Sequence, residues 1–287
     1  MAILWAGNNH ASVRVRPVVK DALCNSEMVN WGKRVLIVAP HPDDEIIGAG
    51  AHIPSIRDLW VIHATDGAPR DMRDANEKGF MTREEYAVAR QREALAALRL
   101  AGVGAERCLH LEFADQEAAH NIPDLTRRLL SLIRGLRPDS VLAPPYEGGH
   151  PDHDSVALAV HTAVRMARLE TGSAPQIVEY ALYHAWEGRM RAGEFLPREG
   201  IPIANLALEP AERVLKCRML ACFATQQRTL APFATDVERF RKAPAYDFTA
   251  PPHEGPLNYE NFNWGMTGRE WRRIARESLR AMEVGQS

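Results

Sequence analysis

A histidine and three acids stand together at His41-Pro42-Asp43-Asp44-Glu45, and a second cluster, His150-Pro151-Asp152-His153-Asp154, follows much later in the chain. Imidazole nitrogens and carboxylate oxygens suit zinc or a similar divalent ion. His41 and Asp44 are three apart, so a helix beginning near Pro42 puts both on one side of its first turn. Asp43 is rotated by about 100° around that axis. It is poorly placed to bind the same ion but can overhang a water on it, as a general base does. A plain helix start, with proline in the first turn and acids at the positive end of the macrodipole, accounts for Asp43, Asp44 and Glu45. It gives no role to His41.

His150 and His153 are again three apart, and either can reach an ion. A catalytic zinc keeps three protein ligands and one position for water. With His41 and Asp44 counted, one more ligand is enough, and the other histidine is left as an acid or oxyanion stabiliser. Spacing leaves open which does which. Asp152 or Asp154 can hydrogen-bond to a histidine and set its tautomer. The preceding Pro144-Pro145-Tyr146-Glu147-Gly148-Gly149 reads as a loop whose glycines admit close approach. The plain alternative is a polar loop before a helix capped by Asp154 or Ser155. Taken together, the two clusters read as halves of one metal site.

What must position them is legible nearby. Each cluster follows an apolar run, Val35–Ala39 and Val141–Ala143, and the ends of such strands are where open α/β sheets carry chemistry. Strands are expected at 34–39, 59–64, 107–111, 140–143, 177–183 and 203–208. Helices are expected at about 45–53, 82–101, 122–135 and 155–169. The second helix opens on a capping box, Thr82 to Glu85, and ends at Gly102. The third has Asn121 before it and Pro123 in its first turn, and closes at Gly135. This alternation implies an α/β domain with parallel strands and helical crossovers. A helix at about 210–226, a Pro-rich aromatic stretch and a last helix at about 268–282 follow. Residues 1–33 are expected to be an N-terminal arm packed on the domain. Residues 34–287 are expected to be one domain whose tail, from about 227, caps it.

The bulk numbers exclude some partners. Thirty-five Lys and Arg against 37 Asp and Glu, a formal charge of −2, offer no basic excess for nucleic acid. No apolar run approaches membrane-spanning length and the first residues lack a signal-peptide core, so no membrane insertion and a cytoplasmic location are expected. Cys24, Cys108, Cys217 and Cys222 are scattered, which reads as free thiols. Self-association is left open.

The segment Ala39 to Glu45 resembles the motif of the LmbE-like, or PIG-L, deacetylase superfamily, which pairs it with a later His-Pro-Asp-His, here His150 to His153. Weaker likenesses are Thr65-Asp66-Gly67, Arg90-x-x-Glu93, Leu111 to Asp115, and Lys216 to Gln226. The resemblance implies a Rossmann-like three-layer sandwich with a mostly parallel sheet and a metal site at the C-terminal strand ends. It implies a zinc-dependent hydrolase (Fe²⁺ or another divalent ion also suits such ligands) that removes acetyl or other acyl groups from N-acetylglucosamine-type sugars or glycoconjugates. Some members cleave amides of thiol conjugates instead. By position the ligands fall on His41, Asp44 and His153, the general base on Asp43 and the auxiliary histidine on His150. In the implied reaction, metal-activated water gives its proton to Asp43, and a protonated His150 helps hold the oxyanion. One departure stands out: some members carry a tyrosine immediately before the Gly-His pair, where this chain has Gly148. Tyr146, two residues earlier, is the candidate substitute.

Around this centre Asp115, Arg70 and Arg73 are candidate substrate contacts, with Tyr146. Glu45, Asp66 and Asp152 are candidates to support the metal ligands. Asp66 is equally a turn former before Gly67. His52, His63, His110 and His161 read as structural. Tyr183, His184 and Trp186 follow a strand and either line a sugar subsite or pack. Three rival readings fit the residues less well. A dinucleotide fold lacks the third glycine after Gly48-Ala49-Gly50 and has acids where a pyrophosphate would sit. A metal-dependent phosphoesterase generally needs more bridging ligands. A non-catalytic binding protein would not need both the ligands and the base.

Overall fold

A computed structural model describes residues 31–284; the expected arm at 1–33 lies almost wholly outside the described residues. The strands are β1 (Arg34–Ala39), β2 (Asp58–Pro69), β3 (Cys108–Asp115), β4 (Ser140–Ala143), β5 (Gln176–Tyr180), β6 (Tyr183–Trp186), β7 (Arg189–Ala192), β8 (Ala204–Ala207) and β9 (Val237–Lys242). The longer helices are α1 (Asp44–Ala49), α2 (Arg83–Leu100), α3 (Ile122–Leu136), α4 (Pro151–Thr171), α5 (Pro210–Leu220) and α6 (Gly268–Val284). Seven strands form one sheet in the order β3-β2-β1-β4-β5-β9-β8, and β6 and β7 pair as a separate hairpin. The first five strands in that order are parallel, and β9 runs antiparallel to both of its neighbours.

Alternation along β1 explains the layers. Val35 and Ile37 point to one face and join Ile46 of α1, Leu98 of α2 and Met219 of α5. Leu36 and Val38 point to the other and join Leu129 and Ile133 of α3 with Val156 and Val160 of α4. A central parallel strand is therefore apolar on both faces, and each such side chain contributes roughly 1.5–3 kcal/mol by its burial. A third cluster packs α6 onto α4: Trp271 and Ile274 lie against Tyr146, Leu158 and Leu257. The Trp271 Nε1 donates to the Pro151 carbonyl at 3.1 Å and to Ser155 Oγ at 2.9 Å.

Several boundaries differ from expectation, each for a local reason. The Thr82–Glu85 capping box forms with both reciprocal bonds. Helix α3 runs past Gly135 because Arg137 itself takes the left-handed terminating conformation, φ 49°. Helix α4 begins at Pro151, and its cap is neither Asp154 nor Ser155: the His150 ring accepts from the Asp152 N–H. The strand expected at 177–183 breaks into β5 and β6, and β7 and β9 were not expected at all. β9 hides its nature because its charged residues are buried in pairs. Glu238 meets Lys216 at 2.7 Å, and Arg241 meets Glu179 at 2.6 Å and Glu147 at 2.8 Å. Among the described residues no helix is long and apolar enough to cross a membrane.

Candidate active site and metal centre

Strand order reverses between β1 and β4, since β2 and β3 lie to one side of β1 and β4 and β5 to the other. That switch point opens a crevice at the C-terminal strand ends, and both motifs fall there, one after β1 and one after β4. Three donor atoms crowd together. His41 Nδ1 lies 3.0 Å from Asp44 Oδ2, His153 Nε2 lies 3.2 Å from the same oxygen, and the two ring nitrogens are 3.3 Å apart. Atoms held at about 2.0–2.1 Å by one tetrahedral ion stand roughly 3.3–3.4 Å from each other, so the spacing fits such an ion. The other side of the His41 ring meets carboxylates: Nε2 is 3.1 Å from Asp115 Oδ1, without hydrogen-bond geometry, and hydrogen-bonds to Asp152 Oδ2 at 3.3 Å. An Nε2–H turned to these acids leaves Nδ1 as a free lone pair facing Asp44 and His153.

Charge favours a cation as well. Asp43, Asp44, Asp115 and Asp152 converge on this point, with Arg90 as the permanent counter-charge in direct contact. Burial pushes the His41 imidazole down, but Asp115, Asp152 and Asp44 carry it well above its ordinary value. Burial likewise pushes Asp44 up, and His153 and His41 outweigh it and hold that carboxyl far below the usual range. A pocket that draws a proton onto His41 is one that a divalent ion suits. The chain also offers His41, His150 and His153 as a close donor group, and His41, Asp115, His150 and Asp152 as another.

Asp43 is held differently. Its backbone sits at φ 146°, ψ −27°, a conformation costly for any residue with a Cβ. Buried Arg90 fastens it, donating Nη2 to the Pro42 carbonyl and to Asp43 Oδ2, both at 3.1 Å, and Nη1 to the Gly67 carbonyl at 2.7 Å. The Asp43 N–H donates to Glu45 Oε2 at 3.2 Å, and Thr65 Oγ1 donates to the Pro40 carbonyl at 2.9 Å. Burial and the charge of Asp44 outweigh Arg90 and push the Asp43 carboxyl up to about 8, a poise suited to a proton acceptor near neutral pH. Arg90 was noted in the sequence only as part of a weak likeness. Glu93, one turn on, accepts from Thr225 N and Oγ1 and ties α2 to the segment after α5.

His150 accepts from the Asp152 N–H on Nδ1, so its proton sits on Nε2, which is 3.7 Å from Asp115 Oδ1. Burial and the neighbouring His41 depress its basicity. The His150 Nδ1 is engaged as an acceptor, which leaves Nε2–H to donate. Asp152 also accepts from Gln116 N at 2.6 Å and Ala118 N at 3.0 Å, whereas the Asp154 carboxylate takes the Glu147 and Gly148 N–H groups.

A cavity of about 500 Å³ opens over these groups, lined by His41, Asp43, Asp44, Arg90, Asp115 and His150, with Arg73, Tyr183, Asn258, Phe262 and Trp264 higher up. Two expected substrate contacts are not brought to it. Tyr146 is buried among Phe248, Trp271 and Tyr246, and its hydroxyl donates to the Ala250 carbonyl at 2.8 Å. Arg70 is exposed and paired with Glu117. Asp66 pairs with Arg83 and accepts the Ala68 N–H at 3.0 Å, as a turn former does. The missing tyrosine has a steric reason. Gly148 sits at φ +70°, and a Cβ there would lie 2.7 Å from Leu257. A Cβ at Gly149 would meet the Tyr183 carbonyl oxygen at 2.0 Å. Tyr183 instead lines the cavity, its ring 5.0 Å from that of His153.

Residues 36–164 match the family model PIG-L: GlcNAc-PI de-N-acetylase. This segment, less than half of the chain, is similar to the PIG-L family. It contains most of β1, all of β2 to β4, both motifs and most of α4, whereas Tyr183, Asn258, Phe262 and Trp264 come from outside it. Diacetylchitobiose deacetylase of Thermococcus kodakarensis is 32% identical over 152 residues, 50% of this chain and 54% of that protein. A probable N-acetyl-alpha-D-glucosaminyl L-malate deacetylase 2 of Bacillus cereus is 30% identical over 147 residues, 48% of this chain and 64% of that protein. The chain thus spans between about half and two thirds of the length of these relatives. The fold around this segment is shared with a solved triple mutant of a deacetylase of the teicoplanin biosynthetic pathway. The TM-score is 0.56 at 20% identity, covering 73% of this chain and 97% of that one.

Proposed function

We propose that this protein is a metal-dependent N-deacetylase that hydrolyses the acetamide of an amino sugar in a glycoconjugate. The observation that carries the reading is the buried trio His41 Nδ1, Asp44 Oδ2 and His153 Nε2, mutually within 3.3 Å, with the Asp43 carboxylate one residue away. Those three residues would hold the ion, with zinc suited to the His₂Asp set and ferrous iron also able to use it. When bound, such an ion supplies Lewis acidity toward a water and an acyl oxygen. Asp43 takes the proton that the attacking water loses. The water oxygen bonds to the acyl carbon, and the His150 Nε2–H donates to the carbonyl oxygen as negative charge gathers there. The carbon–nitrogen bond then breaks, and the proton on Asp43 passes to the leaving nitrogen, so the products are acetate and a free amino sugar. Asp152 and Asp115 keep the proton of His41 on Nε2 throughout. Arg90 holds Asp43 in place and keeps it from relaxing out of its strained conformation.

The relatives named for acetylated sugars support the acyl-transfer chemistry. Metal analysis combined with acetate release tests the reading. One ion per chain, and acetate with a stoichiometric amine from an N-acetylglucosaminide, are expected. Phosphate release from a phosphomonoester without acetate release would transfer the site to phosphoesterase chemistry.

A further inference from the structure

Beyond the catalytic floor, three rings form a ladder. The His150 and Trp264 centroids are 4.7 Å apart, and Trp264 stacks on Phe262 at 4.5 Å with planes 13° apart. The ladder starts at the donor cluster and ends in solvent, since Phe262 is 46% exposed. It belongs to the C-terminal segment, outside the residues that match the family model. The segment is seated by polar bonds: the Asn258 N–H donates to the Gly148 carbonyl at 2.9 Å, and its Nδ2 donates to the Gly149 carbonyl at 3.0 Å. Tyr183 and Phe233 line the same cavity, with Met190, itself exposed.

We infer that the Trp264–Phe262 ladder is an aglycone subsite, selecting substrates whose acetylated sugar is linked to a flat, apolar ring. The inference rests on the deacetylase reading and adds to it the part of the substrate that does not react. A sugar whose acetamide reaches His150 passes beside Trp264, whose indole adjoins the His150 ring. Whatever the sugar carries next falls on Phe262. A cavity of about 500 Å³ is in the range that encloses a ligand of more than one ring. An exposed aromatic face attracts a flat apolar surface and does little for a charge. The cationic side chains that line the cavity are each paired with a carboxylate. Arg90 is engaged by Asp43, Arg73 pairs with Asp71 and Arg228 with Glu77, and Asp74 adds a further negative charge to the lining. An anionic aglycone is therefore disfavoured relative to an apolar one.

The test uses the full-length protein and three probes: N-acetylglucosamine, its aryl β-glycoside and its 1-phosphate. Affinities are measured by calorimetry on the Asp43→Asn protein, so that turnover does not intervene, and kcat/KM is measured on protein with intact Asp43. The aryl glycoside should bind about tenfold more tightly than the free sugar, a difference of the size that one aromatic stack provides. Phe262→Ala should shrink that preference to about threefold or less, with a larger loss for the aryl glycoside than for the free sugar. Trp264→Ala should weaken both, and Trp264→Tyr should restore most of the loss. An unchanged preference in Phe262→Ala, or tighter binding of the 1-phosphate than of the aryl glycoside, would overturn the subsite. The two readings fail separately. Ring-dependent binding without acetate release keeps the subsite and removes the deacetylase, whereas acetate release with an indifferent Phe262→Ala keeps the deacetylase and removes the subsite.

Discussion

The floor and the wall of the cavity are built on opposite principles. The floor lies in the segment that matches the PIG-L family model: His41, Asp43, Asp44, Asp152 and His153 are all buried, and most are fixed by more than one partner. The wall comes from Tyr183 and the segment 257–264, is mainly aromatic, and is half open to solvent at Phe262. Buried and cross-braced groups are pre-organised for one reaction, and their disruption is felt in turnover. Half-exposed apolar groups contribute area and shape, and their disruption is felt in binding. On the proposed reading, chemistry is held by the segment that matches the family model and selection by residues outside it.

Breaking the floor should have the largest effects. His153→Ala is expected to lose the ion, with metal content by elemental analysis falling from about one per chain to below a tenth; full occupancy in that variant would remove His153 from the ligand set. Asp43→Asn should retain the ion and lose roughly 10²–10⁴-fold in kcat, as measured by acetate release. Arg90→Leu separates positioning from chemistry. It frees the strained Asp43 turn and leaves a buried carboxylate unpaired, so kcat should drop by about 10–100-fold and unfolding should shift by on the order of 3 kcal/mol. Combined with Asp43→Asn, its effect on kcat should nearly vanish, and a fully additive double variant would refute the coupling.

Sharper distinctions come from the wall and the periphery. Tyr183→Phe removes a cavity-lining hydroxyl whose proton is held on by burial and by the charges of Asp44, Asp115 and Asp43. A loss of a few-fold to about tenfold in kcat/KM is expected, and an unchanged value would leave the ring alone as its contribution. The smallest expected effect is outside the cavity. Burial holds His161 down to about 4, against a tyrosine and a phenylalanine ring. A histidine depressed in the folded state contributes stability that is present above its unfolded value of about 6.5 and is lost as pH falls toward 4. His161→Phe should therefore flatten the fall in denaturation midpoint between those pH values, by on the order of 1–3 kcal/mol at the acid end. An equally steep fall would mean that another group titrates there.

Much of the floor was legible because it is local. Three-residue spacing in each motif, next to apolar runs of strand length, gave the donors and where they stand on the sheet. The helical-turn argument that set Asp43 apart from Asp44 does not hold, because the helix starts at Asp44 and both His41 and Asp43 stand before it, Asp43 in a non-helical conformation. Arg90 was nearly invisible, since an arginine in an amphipathic helix reads as a solvated charge unless its target is known. The wall was not legible: Asn258, Phe262 and Trp264 sit in a Pro-rich stretch with no period, and their role depends on contacts across more than a hundred positions of chain. β9 escaped notice for the same reason, as its charges look exposed until Lys216, Glu179 and Glu147 are brought to them.

The sequence by itself determined the α/β alternation, the parallel core and the two donor clusters, because each depends on residues within a few positions of one another. Tertiary structure alone decided the rest. It joined the clusters at the point where strand order reverses, turned His41 so that one nitrogen meets carboxylates and the other faces Asp44 and His153, and set the His150 Nδ1 against the Asp152 N–H. It also excluded a tyrosine at position 148, where Leu257 occupies the space and φ is +70°. These outcomes depend on packing between distant segments, and packing is set by shape and burial, which no local spacing records.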